Sequence, residues 1–176
     1  MLKGSNLFIF ENLKRRNNIK KASLLRDFFY LRQMKEEDLP YVLEIENLSF
    51  PNPWHEMTFK GEIHNEPISS AFVIVHRLQK KVIGYIIFWH IKKQVQISNI
   101  AIHPDFRRMG IAESVLKQVL SQIQMEGSKF VTLEVRPSNL AARSLYNKLE
   151  FEVLGIRENY YHDPSEPALV MCKQLN

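Results

Sequence analysis

The order of hydrophobic periodicities along the 176 residues predicts an α/β (α+β) fold, a mixed and mostly antiparallel sheet flanked by helices. Three observations carry this. Ala71 to Arg77, Val82 to His90 and Val95 to His103 alternate like strands and are joined by short polar turns of lysine and glutamine, the pattern of an antiparallel meander. Ile111, Val115, Leu116, Val119, Leu120 and Ile123 then recur at helical spacing, and Gly127 stops them. Beyond that helix a strand, a second helix and a closing strand pair follow, giving the order β-α-α-β-β-β-α-β-α-β-β.

The remaining elements follow from local signals. Phe28 to Met34 alternates like a strand, and Lys35-Glu36-Glu37-Asp38-Leu39-Pro40 reads as a helix start, with acids at the positive end of the helix dipole and proline in the first turn. Leu39, Val42, Leu43 and Leu48 form its apolar stripe. Phe50-Pro51-Asn52-Pro53-Trp54 breaks the pattern, and a shorter helix runs from about His55 to Ile63. Phe130 to Val135 is a strand, about Asn139 to Leu149 a helix, and Phe151 to Asn159 with Ala168 to Lys173 the final strand pair.

Composition bounds the function. The length suits one domain with a real core, and no apolar run approaches the roughly 20 residues of a membrane span. Leu7-Phe8-Ile9-Phe10 is too short for a signal-peptide core, and the single Cys172 excludes an internal disulfide, so a reducing cytoplasm is the expected home. Cys172 lies in an alternating apolar segment, where it reads as a small buried hydrophobe rather than a nucleophile. The net charge of +5 is local: residues 1 to 27 carry seven basic and two acidic residues, and from residue 28 onward the two signs cancel. The folded body, residues 28 to 176, therefore has no electrostatic reason to bind nucleic acid. The basic extension, residues 1 to 27, reads as a tail, with ribosome or nucleic-acid contact, or a targeting sequence in a eukaryotic source, as its alternative uses. No set of residues suggests a metal site.

The segment Ile100-Ala101-Ile102-His103-Pro104-Asp105-Phe106-Arg107-Arg108-Met109-Gly110-Ile111-Ala112-Glu113 carries the chemistry. A strand passes through a basic turn into a helix whose first-turn amides lack intrahelical acceptors and sit at the positive end of its dipole, so an anion is favoured there. Gly110 lets the backbone come close, Arg107 and Arg108 add charge, and Ala112 stays small. The same residues also read as an ordinary solvated turn.

Arg107, Gly110 and Ala112 in order resemble the acetyl-CoA signature of the GNAT N-acetyltransferase superfamily, Gln or Arg, two residues, Gly, one residue, Gly or Ala. The element order from residue 28 onward resembles that fold as well. The resemblance implies that the fourth and fifth strands, Val95 to His103 and Phe130 to Val135, splay apart to admit the pantetheine arm of acetyl-CoA. It further implies that Ile100 to Ile102 and Arg107 to Glu113 contact this cosubstrate, with a backbone N–H of Ile100-Ala101-Ile102 holding the oxyanion.

Leu133-Glu134-Val135-Arg136, Ser138-Asn139 and Leu145-Tyr146 are similar to the bacterial ribosomal-protein-alanine N-acetyltransferases within that superfamily. Strand alternation sets Glu134 opposite Val131, Leu133 and Val135, which alone describes a solvated glutamate; the resemblance implies the general base. Tyr146 reads as a core tyrosine, and the resemblance makes it the proton donor to the coenzyme A thiolate. Asn139 reads as a helix N-cap, with cofactor contact implied in addition. Phe50 and Trp54 resemble the aromatic-proline loop of these enzymes, and Tyr160 and Tyr161 the paired tyrosines of the closing hairpin, so these four are expected to bind the substrate, a protein N-terminus, here of a small-subunit ribosomal protein. Phe50 and Trp54 read equally well as core pins. A superfamily activity on lysine, polyamine or other small amines is the alternative. The chain departs from the family at Leu149-Glu150-Phe151, where Leu-Gly-Phe is common. A glutamate forced into a left-handed conformation there would cost about 1 kcal/mol.

Overall fold

The computed structural model describes residues 28–65 and 67–175, so the reading of residues 1–27 lies outside the described residues. β1 (Phe29–Gln33) leads through a 3-10 turn (Glu36–Asp38) to α1 (Leu39–Asn47) and α2 (Glu56–His64). β2 (Ser69–His76), β3 (Val82–Ile91) and β4 (Gln94–Ile102) form the meander, and a 3-10 turn (Pro104–Phe106) leads to α3 (Ile111–Met125). β5 (Phe130–Val135), α4 (Leu140–Lys148), β6 (Glu152–His162) and β7 (Ser165–Gln174) complete the order that the periodicity predicts. The strands form one sheet in the order β1-β2-β3-β4-β5-β7-β6, antiparallel at every junction except the parallel pair β4–β5.

Each face of the sheet is covered by a helix pair. Leu39, Val42, Ile45 and Phe59 of α1 and α2 pack on Val73, Val75, Tyr85, Ile87 and Ala101. On the opposite face all six periodic residues of α3 are buried, and with Tyr146 and Leu149 they cover Ile86, Val95, Ile97, Val131 and Leu133. Burial of each large apolar side chain contributes about 1.5–3 kcal/mol, so these two layers hold the sheet between them.

The parting of β4 and β5 is the feature that makes a site. Their ladder covers only Gln94–Ile97 against Phe130–Leu133. In the β3–β4 ladder Ile87 faces Asn99 while Phe88 faces Ile97, so Ser98 has no opposite number and forms a β-bulge. The bulge also exchanges the faces of β4. Val95 and Ile97 point toward α3, and beyond Ser98 it is Ile102 that does so, while Asn99 and Ala101 turn toward α1. Past Ile97, β5 pairs with β7 alone.

Three details differ from or refine the sequence reading. α1 ends at Asn47, so Leu48 is 52% exposed and the buried stripe is completed by Ile45 and Glu46 instead. β6 and β7 run on to His162 and from Ser165, which puts Tyr160 and Tyr161 inside an edge strand rather than after it. Nearly every residue of β6 is exposed, so the inside-outside alternation that marks a strand is missing there. Glu150 is left-handed (φ 64°), as the departure from Leu-Gly-Phe implies, and its carboxylate pairs with Lys173 at 2.8 Å.

His76, 1% exposed at the end of β2, sits edge-on to Phe28 (4.3 Å between ring centroids) and near Phe106. Its Nδ1 accepts from Gln79 N, and its Nε2 has no hydrogen-bond partner among the described residues. Burial pushes the His76 pKa below its ordinary value. Below about pH 6.5 the unfolded chain therefore takes up a proton that the folded chain refuses, and stability falls by at most about 1.4 kcal/mol per pH unit over that window. The melting temperature should drop as the pH is lowered from 7 to 5, and His76→Phe should flatten the slope; parallel slopes would remove His76 from the account.

Candidate active site

The parted strands leave polar backbone exposed on β4. His103 N donates to Ile83 O at 2.9 Å, and antiparallel pairs alternate, so Ala101 turns its peptide groups to β3 and Ile100 and Ile102 turn theirs into the opening. The carbonyl of Ile102 is met there by Arg107 Nε at 2.8 Å.

The turn into α3 has the conformation an anion seat requires. Arg108 (φ 63°) and Gly110 (φ 84°) are both left-handed, and Gly110 caps α3 without a side chain, so the amides of Ile111, Ala112 and Glu113 point out of the helix. Holding Arg108 in that region costs about 1 kcal/mol, a strain typical of functional loops. Its side chain is exposed, Met109 and Ala112 are half-buried against the α3 core, and the Ile111 side chain belongs to that core. Glu113 faces away from an anion role. Burial alone would raise its carboxyl, yet Lys117 (2.9 Å) and Lys148 (2.7 Å) hold it below the usual range. Arg107 also departs from expectation. It spends Nε on Ile102 O and Nη2 on Ser49 Oγ (2.8 Å), tying the turn to the segment after α1. Glycine backbone, first-turn amides and Arg108 together fit a diphosphate.

Glu134 stands where β5 leaves β4, on the α1 side of the sheet. Its side chain is only 7% exposed, so it is not the solvated glutamate that alternation alone describes. Gln96 Nε2 donates to Oε2 at 2.9 Å, and Arg157 Nη1 lies 3.1 Å from Oε1. The aromatic neighbours gather around it. Tyr160 and Tyr161 meet edge to face at 4.9 Å, and the negative charge of Glu134 contributes to the raised pKa of both. Tyr161, pushed up to about 12 by burial and then by Tyr160, carries the guanidinium of Arg136 over its ring at 3.9 Å. Tyr146 is buried against Phe151, and burial first, then Tyr161, pushes its pKa up. Asn139 is the N-cap of α4, its Oδ1 accepting from Ala142 N at 3.1 Å, as predicted.

The walls are the segment 48–54 and the β6–β7 turn. Phe50 and Trp54 are half-buried on the α1–α2 core, with Trp54 5.5 Å from the Phe59 ring, so they pin the segment to the core. Asn52 Nδ2 donates to Asp163 O at 2.8 Å and joins the two walls. Arg136 fastens the turn from below through Pro164 O (2.9 Å), Asp163 O (3.2 Å) and Glu166.

Beneath these walls lies Glu46, 1% exposed. Trp54 N donates to it at 2.8 Å, Tyr85 Oη donates to it, and Asn99 Nδ2 lies 3.4 Å from each oxygen. Burial pushes its carboxyl up against the pull of these donors. The sequence reading assigned no role to Glu46, Gln96, Arg136 or Arg157. Glu46 had a signal, because it lies four residues after Val42 on the apolar stripe, where a charge must find partners. Gln96 and Arg157 had none, since their contacts depend on long-range strand register.

The chain matches the Acetyltransferase (GNAT) family over residues 39–151. It is 35% identical to the putative [ribosomal protein bS18]-alanine N-acetyltransferase of Bacillus subtilis, over 83% of this chain and 95% of that one. It is 30% identical to the [ribosomal protein bS18]-alanine N-acetyltransferase of Escherichia coli, over 83% of this chain and 97% of that one. The crystal structure of the Escherichia coli ribosomal-protein-S18-alanine N-acetyltransferase superimposes with a TM-score of 0.76 at 29% identity, covering 84% of this chain and 94% of that one. Ard1 from Thermoplasma volcanium gives 0.77 at 25% identity, with 84% and 98% covered. The parted strands, the anion seat on α3 and these likenesses agree: the chain belongs to the GNAT family and is an N-acetyltransferase.

Proposed function

We propose that this protein transfers the acetyl group of acetyl-CoA to the N-terminal α-amino group of a protein, with an alanine-initiated small-subunit ribosomal protein as substrate and the cytoplasm as the place of action. The observation that carries the reading is Glu134, an enclosed carboxylate held by Gln96 and Arg157 at the mouth of the parted strands and beneath tyrosines 160 and 161. The bS18-alanine activity named for the relatives supports the choice of substrate.

Acetyl-CoA supplies a thioester. The amides of Gly110 to Glu113 and the guanidinium of Arg108 hold its diphosphate, Asn139 at the start of α4 adds a contact, and the peptide groups of Ile100 and the N–H of Ile102 take the amides and the carbonyl oxygen of the cosubstrate. Glu134 accepts the proton that the α-ammonium must lose before its nitrogen can attack. An α-amine with pKa about 7.7–8.0 asks little of a base, whereas a lysine near 10.4 asks far more. Tyr146, kept protonated by burial, gives its phenolic proton to the departing sulfur. Phe50, Trp54, Tyr160 and Tyr161 line the way in for the acceptor.

A peptide panel varying only the first residue and one internal lysine tests the substrate: acetyl found by mass spectrometry on the α-nitrogen is the expected result, and acetyl confined to lysine defeats the reading. Glu134→Gln should lower kcat/KM by about 10²- to 10⁴-fold at pH 7, with a smaller deficit at pH 9, where the amine is already neutral. A rate unchanged from pH 6 to 9 would show that another group is the base. Tyr146→Phe should lower kcat at least about tenfold while leaving both KM values near those of the wild type, measured by thiol release.

A further inference from the structure

Glu46 is a buried carboxylate whose described partners are all neutral, placed where the segment 48–54, β3 and β4 meet. The geometry points to Glu46 as a positioning residue that turns the Asn99 carbonyl oxygen toward the opening between β4 and β5, where Asn99 accepts a hydrogen bond from the acceptor amine.

Three features of the site argue for this. An ionised carboxylate only accepts hydrogen bonds, so a carboxamide that approaches both of its oxygens must present nitrogen; Asn99 Nδ2 is 3.4 Å from each. The amide has its oxygen on the other branch, so Oδ1 is directed away from Glu46. Asn99 is half-buried, one residue past the Ser98 bulge, in the stretch of β4 that has lost β5 as a neighbour, and it projects from the same face of the sheet as Gln96, the partner of Glu134. The bulge is what gives Asn99 that face. In a regular strand it would continue the row of Val95 and Ile97 and point toward α3. With Oδ1 on one side of the opening and Glu134 on the other, an amine nitrogen finds one acceptor to orient it and another to take its proton.

This inference rests on the reading of the opening as an amine-acceptor site, and its test is separable from that reading. The acceptor used is whichever peptide the wild-type chain acetylates best, so acetylation of lysine would defeat the proposed substrate while leaving this test intact. Asn99→Leu, which keeps the bulk and removes the acceptor atom, should raise the acceptor KM at least tenfold and leave the KM of acetyl-CoA within twofold. Glu46→Gln, which lets the Asn99 amide turn either way, should raise the acceptor KM in the same sense. In the double variant Glu46→Gln should add nothing, because its effect passes through Asn99. An unchanged acceptor KM in Asn99→Leu overturns the inference. Additive effects in the double variant overturn the role of Glu46, since they would mean that it acts by holding the Trp54 segment. If Glu46→Gln fails to fold, the Asn99→Leu measurement alone decides for or against the acceptor atom.

Discussion

The site depends on one extra residue in a strand. Ser98 forces β4 to bend, and from that point β4 and β5 no longer share hydrogen bonds. A continuous ladder would satisfy the peptide groups of Ile100 and Ile102 internally, and the sheet would offer nothing to a ligand. Arg107 takes up the carbonyl of Ile102, and packing on either side supports the rest of the open edge. Ile102 remains in the α3 core and Ala101 in the α1–α2 core, so the strand stays rigid while its edge stays open. Rigid support for an exposed backbone edge is what an extended ligand such as a pantetheine arm needs.

Around that opening the protein places its charges in braced positions. Arg107 ties the turn before α3 to the segment after α1, Arg136 ties β5 to the β6–β7 turn, and Glu46 ties that same α1 segment to β3 and β4. Each bond crosses from one element to another. The turn before α3 and the buried Glu46 are therefore mechanically joined through residues 48–54, which touch the one at Ser49 and the other at Trp54. Arg107 also shows how a motif position can be read correctly for family and incompletely for role: its guanidinium serves the scaffold with two groups whose charge had suggested a phosphate.

Much of this was legible in the sequence. The strand and helix order followed from periodicity because both helix pairs cover a sheet with sharp inside and outside faces. The α3 turn followed from a strand, a glycine and a helix in succession, and the left-handed Glu150 from its place after Leu149. Other features depended on distances along the chain that no local pattern encodes. The bulge at Ser98 hides in the polar run Gln96, Ser98, Asn99, where a change of phase leaves no trace in hydrophobicity. The partners of Glu134 come from β4 and β6, and only the insertion of β7 between β5 and β6 settles which residues can reach it. Tyr160 and Tyr161 were singled out by likeness alone, because an edge strand exposed on both faces gives no alternation to read.

The hydrogen bond between Asn52 and Asp163 joins the segment after α1 to the β6–β7 turn, and it bears on the shape a way in between them would take. Two walls that meet overhead enclose a hole, whereas two walls that stand apart leave a trench. A trench accepts a loop laid in sideways; a hole accepts only a thread presented by its end, and only if the first few residues hang loose from whatever they are attached to. On the proposed reading of the site, an acceptor presented in this way would have to be modified while its first residues are still free of a fold or an assembly.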